Sequence, residues 1–301
     1  MAVILHDLDV VTEHIVPLGS SDIRMYLIRG ESYALLGGGV PWVLQRMEAQ
    51  LAQYDIDCSL IRYLVISHVH HDHCGAVSYL LKRYPHIEVV ASDYGATLLT
   101  KSRPVEMIQS VCSQMLDKMK LPHEHNGISF DFEPVPTSIR AGDGDCLDLG
   151  NGITLQFYLT PGHTRCSLST YIPALKALFP ADALPFPANG NHKLIVTANH
   201  DYGDYIRSLE KLLPLTIDLI GYEHGGMITG EDASTMISRS LAVTLEQRQR
   251  IRERFEELKD LNQLVDETAQ KYHALDFFNM APLDIIRATT SRMVRSALGM
   301  I

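Results

Sequence analysis

Ser67-His68-Val69-His70-His71-Asp72-His73 is the stretch on which the reading of this chain turns. The run before it, Arg62-Tyr63-Leu64-Val65-Ile66-Ser67, is apolar and β-branched, which predicts a buried strand. Residues 75–84, after it, have helical spacing. The potential ligands therefore sit where a strand ends and a helix begins. Side chains of an extended chain alternate, so His68 and His70 point the same way and can share one metal. Asp72 and His73 lie past the bend and can reach a second. Imidazole nitrogen binds metals at roughly 2.0–2.1 Å, which demands a rigid mount. A strand-end loop on a packed sheet supplies one.

A histidine-rich surface loop would leave no matching ligands elsewhere, yet three further candidates follow predicted strands. His163 lies in Thr160-Pro161-Gly162-His163-Thr164, after the strand QFYLT. Asp182 lies in Phe179-Pro180-Ala181-Asp182, after KALF, and His224 in Gly221-Tyr222-Glu223-His224-Gly225, after TIDLI. Around them, IVPLG, RMYLIRG and SYALLGGG read as strands, and residues 41–53 as a helix with Pro41 in its first turn. Residues 87–92 read as a strand, and residues 104–119 as an amphipathic helix burying Ile108, Val111, Cys112, Met115 and Met119. CLDLGNGITLQFYLT reads as a hairpin, and SLSTYIP and ALFPADAL as the next strand pair. Three helices are expected over 234–260, 262–274 and 282–298, the first capped by Asp232 or Ser234.

With 46% hydrophobic and 21% charged residues, the 301-residue chain can bury a sizeable core. Its formal net charge of −10 lacks the basic footprint of a nucleic-acid binder, so no nucleic-acid partner is expected. Arg248, Arg250, Arg252 and Arg254 are interleaved with acids. Pairing of Glu246 with Arg250 and of Arg252 with Glu256 would make them a solvated helix face. Five cysteines with no CxxC pair argue against a disulfide scaffold or a thiolate zinc site and suit a cytoplasmic setting. In the N-terminal MAVILHDLDVV the apolar run is too short for a signal h-region and Asp7 and Asp9 follow it closely, so no signal sequence is expected. No segment has the roughly 20 apolar residues of a membrane span, so no membrane partner is expected.

The motifs resemble those of the metallo-β-lactamase superfamily of hydrolases. HVHHDH at 68–73 matches its HxHxDH motif, and TPGHT, FPADAL and GYEHGG match its later His, Asp and His motifs in order and spacing. The resemblance implies an α/β fold, a four-layer αβ/βα sandwich with the ligands at one end. It implies a domain of residues 1–230 and a helical extension, 231–301, covering the active site. It also implies two divalent metal ions, zinc or iron, with manganese suited as well. By that resemblance His68, His70 and His163 bind one metal, Asp72, His73 and His224 bind the other, and Asp182 bridges them. The implied reaction is attack on an ester or thioester carbonyl by a hydroxide held between the metals. Asp72 is its catalytic residue, orienting the nucleophile and handling its proton.

Two positions depart from the family pattern. Leu35-Leu36-Gly37-Gly38-Gly39 lacks the acid that the family carries in the turn after its early strand, which implies a missing buttress near the site. Ala181 stands where glycine is usual before the bridging acid.

Within the superfamily, no cysteine falls in a late ligand motif, as it does in the commonest zinc β-lactamases. Position 70 is histidine rather than the glutamate of diiron oxygen reductases, and no flavodoxin module follows. No tyrosine closely follows Asp182, as in acyl-homoserine lactonases, and the inserted arm of the nucleases is missing. The remaining likeness is to the glyoxalase II-like thioesterases and, more closely, to the quinolone signal response proteins. It rests on Cys74-Gly75, His224-Gly225-Gly226 and Leu275-Asp276-Phe277-Phe278. His71, Phe277 and Phe278 are the candidates for substrate contact. A small-molecule ester or thioester is the expected partner, and a homodimer stays open. Two other functions would use the same site: a regulatory signal-response role with minor hydrolysis and, ranked third, iron-dependent redox chemistry.

Overall fold

The computed structural model describes residues 12–187, 194–275 and 283–301. β1 (Ile15–Gly19), β2 (Arg24–Arg29) and β3 (Tyr33–Leu36) form an antiparallel meander. The chain crosses through α1 (Leu44–Gln53) to β4 (Ile61–Ile66), parallel to β3. It then runs through α2 (His71–Cys74) and α3 (Val77–Arg83) to β5 (Glu88–Ser92), parallel to β4. α4 (Asp93–Leu98), α5 (Ser102–Met119) and a ribbon of β6 (Glu124–His125) and β7 (Ile128–Ser129) precede β8 (Ile139–Ala141). β8 completes a sheet of order β1-β2-β3-β4-β5-β8.

The second sheet begins with the hairpin of β9 (Cys146–Asp148) and β10 (Thr154–Leu159), followed by β11 (Leu168–Ile172) and β12 (Ala177–Phe179). A short ribbon of β13 (Phe186–Pro187) and β14 (Leu194–Ile195) and helix α6 (Tyr202–Leu212) lead to β15 (Leu219–Gly221) and β16 (Met227–Thr229). The order is β16-β15-β12-β11-β10-β9, with β12 and β15 parallel. Three helices follow: α7 (Glu231–Leu258), α8 (Leu261–His273) and α9 (Leu283–Ala297).

Strand alternation explains why these elements stack in four layers. In β2, Tyr26 and Ile28 face the second sheet, where they meet Phe157, Ile172 and Phe179. Met25 and Leu27 face the other way, against Met47 of α1 and Leu80 of α3. On the outer face of the second sheet, Tyr171, Leu178 and Ile220 pack with residues of α6, α7, α8 and α9. That single apolar cluster joins residues on both sides of position 230. The sandwich with C-terminal helices is thus the αβ/βα architecture expected from the motifs.

Several local expectations are corrected. Neither Asp232 nor Ser234 caps α7; Gly230 holds that place, and the Ser234 hydroxyl donates to Glu231 O. On α5 the buried stripe is Val105, Ile108, Cys112 and Leu116, while Met119 is exposed. Arg250 pairs with Glu246 as expected, but Arg252 donates to Ala297 O rather than meeting Glu256, tying α7 to the end of α9. Helix α6 was not expected. Its signal was present in the Asp201 side-chain cap and in Tyr202, Tyr205, Ile206, Leu209 and Leu212 on one face. Pro282 lies outside the described residues. No helix among the described residues is long and apolar enough to cross a membrane.

Candidate metal centre

All seven ligand-type residues lie in the segments that follow strands, drawn from both sheets. After β4 the chain stays extended through His70 (φ −98°, ψ 152°) and then turns into α2, which carries Asp72 and His73. Leu168 N donates to Ser67 O at 2.8 Å, joining the sheets beside His68. His163 follows β10, Asp182 sits in a short 3-10 turn after β12, and His224 follows β15. Two close fits position these loops. Gly162 has φ +135°, and a Cβ there would stand 2.3 Å from Tyr205 Cα, so only glycine lets the His163 loop lie on α6. Ala181 adopts φ +48°, the left-handed backbone that glycine takes more readily.

The side chains converge as two triads. His68 Nε2 and His163 Nε2 stand 3.1 and 3.0 Å from His70 Nδ1. His224 Nε2 stands 3.0 Å from His73 Nε2 and 3.4 Å from Asp72 Oδ2. Asp182 lies between them: its Oδ2 is 3.3 Å from His163 Nε2 and 3.5 Å from His73 Nε2, and its Oδ1 is 3.7 Å from His224 Nε2. The ligand atoms of His68–His70–His163, of His68–His73–Asp182 and of Asp72–His73–His224 each fall within 4.8 Å of one another.

The outer ring nitrogens fix what the inner ones offer. His163 Nδ1 donates to Thr197 O at 2.8 Å, and His224 Nδ1 to Asp22 O at 2.7 Å. His73 Nδ1 donates to Glu223 Oε2 at 2.6 Å. Carbonyl and carboxylate oxygens accept here, so each ring carries its hydrogen outside and, when neutral, turns a bare Nε2 lone pair inward. Lone pairs facing one another at 3.0 Å repel unless a cation or proton lies between them. Asp182 Oδ1 is buried and accepts no hydrogen bond from the described residues, which also suits a cation. The set of imidazoles and carboxylates fits two divalent ions of zinc or iron type.

Electrostatics divides the triads. Burial holds His68 and His163 below the usual histidine range and takes His70 down to about 3, helped by the neighbouring His163. For His73 burial acts in the same direction, but Asp72, Asp182 and Glu223 outweigh it and raise the ring well above that range. His224 is also raised, by Asp182 and Asp72 against its own burial. Burial would raise Asp72 and Asp182, yet the surrounding imidazoles, His73 foremost, hold both well below the usual carboxylate range.

A cleft of about 560 Å³ opens beside the first triad, with His70 and His163 in its wall. Tyr94, Arg165, His200 and Arg292 also line it, and no carboxylate does among the described residues. His71 does not line this cleft. Its Nδ1 lies 3.6 Å from Asp72 Oδ1, and its side chain is 35% exposed. Phe277 and Phe278 lie outside the described residues. Cys74 is fully buried, and burial pushes its thiol up, so it is no nucleophile at neutral pH. The sequence reading missed Glu223. Nothing local marked it, since its partner His73 lies 150 positions away.

Residues 21–224 match the family described as the metallo-beta-lactamase superfamily. A metallo-beta-lactamase family protein from Thermus thermophilus shares the fold with a TM-score of 0.63 and 17% identity, covering 95% of this chain and 92% of its own. An archaeal metallo-beta-lactamase superfamily protein from Sulfolobus tokodaii does so with a TM-score of 0.54 and 23% identity, over 77% and 85%. An anaerobic nitric oxide reductase flavorubredoxin of Pectobacterium atrosepticum is 32% identical over 167 residues, 55% of this chain but only 27% of that protein. With two sheets carrying the ligand motifs at their ends and a match over residues 21–224, this chain belongs to the metallo-beta-lactamase superfamily.

Proposed function

We propose that the protein is a dinuclear metal-dependent hydrolase that cleaves an ester or thioester. The observation carrying this reading is histidine at position 70, which makes an all-imidazole triad with His68 and His163 beside the mixed triad of Asp72, His73 and His224. Two divalent ions held there would supply a Lewis acid for the carbonyl oxygen and bring the pKa of a water to about 7. Asp72 would orient such a water, a role supported by its Oδ2 facing His73 and His224. Its Oδ1 lies 3.6 Å from Nδ1 of the partly exposed His71, so a proton leaving the site would have a path to solvent through that imidazole. His71 then serves proton transfer rather than substrate contact. Arg165 and Arg292 in the cleft favour a substrate with an anionic group on its acyl or leaving side. Thr289 and Arg292 belong to α9, so the extension 231–301 serves as a wall of the cleft.

The test pairs metal analysis of the purified protein with hydrolysis of acyl-thioester and acyl-ester probes, with and without a carboxylate on the acyl chain. Two metals per chain, with turnover favouring the carboxylated probe, is the expected result. A metal-loaded protein that hydrolyses none of these probes would overturn the reading. The flavorubredoxin relatives favour a second reading, redox chemistry on a pair of irons. An iron-loaded protein that consumes nitric oxide or oxygen with a reductant, and leaves the acyl probes intact, would establish it.

A further inference from the structure

The turn after β3 is Gly37-Gly38-Gly39 and offers no acid to the site beside it. Yet His73, the ligand nearest this turn, does not lack a carboxylate. Glu223 Oε2 accepts a hydrogen bond from its Nδ1 at 2.6 Å, and both side chains are buried. Glu223 comes from the other sheet, out of the loop between β15 and β16. A Cβ built on Gly37 would stand 3.0 Å from Glu223 Oε2 and 3.3 Å from its Cδ. A side chain at position 37 would therefore press on this carboxylate.

We propose that Glu223 is a positioning residue for the second triad, a carboxylate buttress of His73 supplied by the sequence neighbour of His224, and that the absence of a side chain at Gly37 leaves room for it. The surrounding geometry supports the pairing. Gly38 N donates to His73 O at 2.7 Å, so the glycine turn holds the backbone of His73 while Glu223 holds its ring. The loop bearing Glu223 is anchored in turn: Arg24 N donates to Glu223 O at 2.8 Å, and the Tyr26 hydroxyl to Tyr222 O at 2.6 Å. One short strand-end segment thus supplies a ligand, His224, and the orientation of its partner ligand, His73. A carboxylate on the far nitrogen fixes the tautomer and makes the inner nitrogen a stronger donor.

This inference rests on the triads being metal sites, so its test reads metal binding rather than turnover. Zinc is titrated into the metal-free protein against a chromophoric chelator. The step that His224→Ala abolishes identifies the second triad. Glu223→Ala is expected to weaken that step about 10–100-fold while leaving the other unchanged. Glu223→Gln keeps an accepting oxygen and should fall between the two; it carries the same comparison if the alanine variant does not fold. Gly37→Ala should weaken the same step, and by less in a Glu223→Ala background. The backbone strain at φ +86° is common to both backgrounds and cancels in that cycle. Glu223 variants with wild-type zinc affinity, or an equal loss at both steps, would overturn the positioning role. Additivity of Gly37→Ala and Glu223→Ala would overturn the shared space. A wild-type protein that binds no metal would instead remove the reading of the site itself.

Discussion

His73 and His224 turn their Nε2 atoms toward each other at 3.0 Å across 151 positions of sequence, while their Nδ1 atoms are tied outward to Glu223 and to Asp22 O. Neither ring can turn away without leaving a buried acceptor unmet, which costs about 1–3 kcal/mol. Two neutral rings held this way oppose their lone pairs, so the contact needs a shared proton or a metal. The nearby carboxylates, which raise both rings, favour the proton when metal is withheld.

Metal binding should therefore depend on pH differently at the two triads. A raised imidazole holds a proton that the metal must displace, so affinity at Asp72–His73–His224 is expected to rise with pH by about tenfold per unit for each proton released. His68, His70 and His163 are lowered and already neutral near pH 7, so their step should be nearly flat there. Zinc titrations between about pH 6 and pH 8, with proton release followed in buffers of different ionisation enthalpy, check this. Equal slopes at the two steps would contradict it.

Removing single ligands should separate a local from a shared role. His70 reaches only the first triad, so His70→Ala is expected to leave about one metal per chain, held by Asp72, His73 and His224. Asp182 touches members of both triads, so Asp182→Ala should weaken both steps and leave less than one metal at limiting concentration. Elemental analysis after equilibrium dialysis reads the contrast. Identical stoichiometries in the two variants would show that Asp182 does not bridge.

What could be read from sequence was whatever a short segment carries by itself. His68 to His73 announced a strand-end site because their types and alternation are local facts. His163, Asp182 and His224 were legible because each closes a strand, a pattern confined to a few residues. Glu223 was not, because its partner His73 lies 150 residues away and only the stacking of the two sheets brings them together. The apparent lack of an acid at 37–39 misled for the same reason: the carboxylate is present in space but displaced in sequence. Met119 failed on α5 because helical spacing does not say how far along the helix its packing partners reach, and Met119 is the last residue of that helix. At β4, by contrast, the apolar run by itself marked a strand whose residues are buried from Tyr63 to Ile66.

Ala181 offers a test of backbone strain at the bridging position. It holds φ +48° immediately before Asp182, a conformation in which a Cβ is unfavourable and glycine is not. Ala181→Gly is expected to stabilise the metal-free protein by about 1 kcal/mol, a rise of about 2 °C in Tm for a chain of this size. Metal stoichiometry should be unchanged, because no side-chain donor is lost. Thermal unfolding with and without zinc measures both. A fall in Tm would mean that the alanine methyl contributes more by packing than its backbone costs.

Gly162 should be the least tolerant position of the centre among those that supply no ligand. Its carbonyl accepts from His200 N at 2.9 Å and from Asp201 N at 3.0 Å, and its own N donates to Thr164 O at 3.0 Å, so the turn bearing His163 is tied to the start of α6. A methyl group there would lie 2.3 Å from Tyr205 Cα and 2.4 Å from Tyr205 N, both backbone atoms that cannot swing aside. Its φ of +135° adds strain for any side chain. Gly162→Ala is expected to cost roughly 3 kcal/mol or more in denaturant unfolding. Because relief at Gly162 shifts the adjacent His163 away from His70, the first zinc step should weaken along with stability, while the step at His73 and His224 persists in whatever fraction stays folded. Stability lost with both zinc steps intact would mean that the loop relaxes without moving His163, and that the contact with α6 serves the core rather than the metal centre.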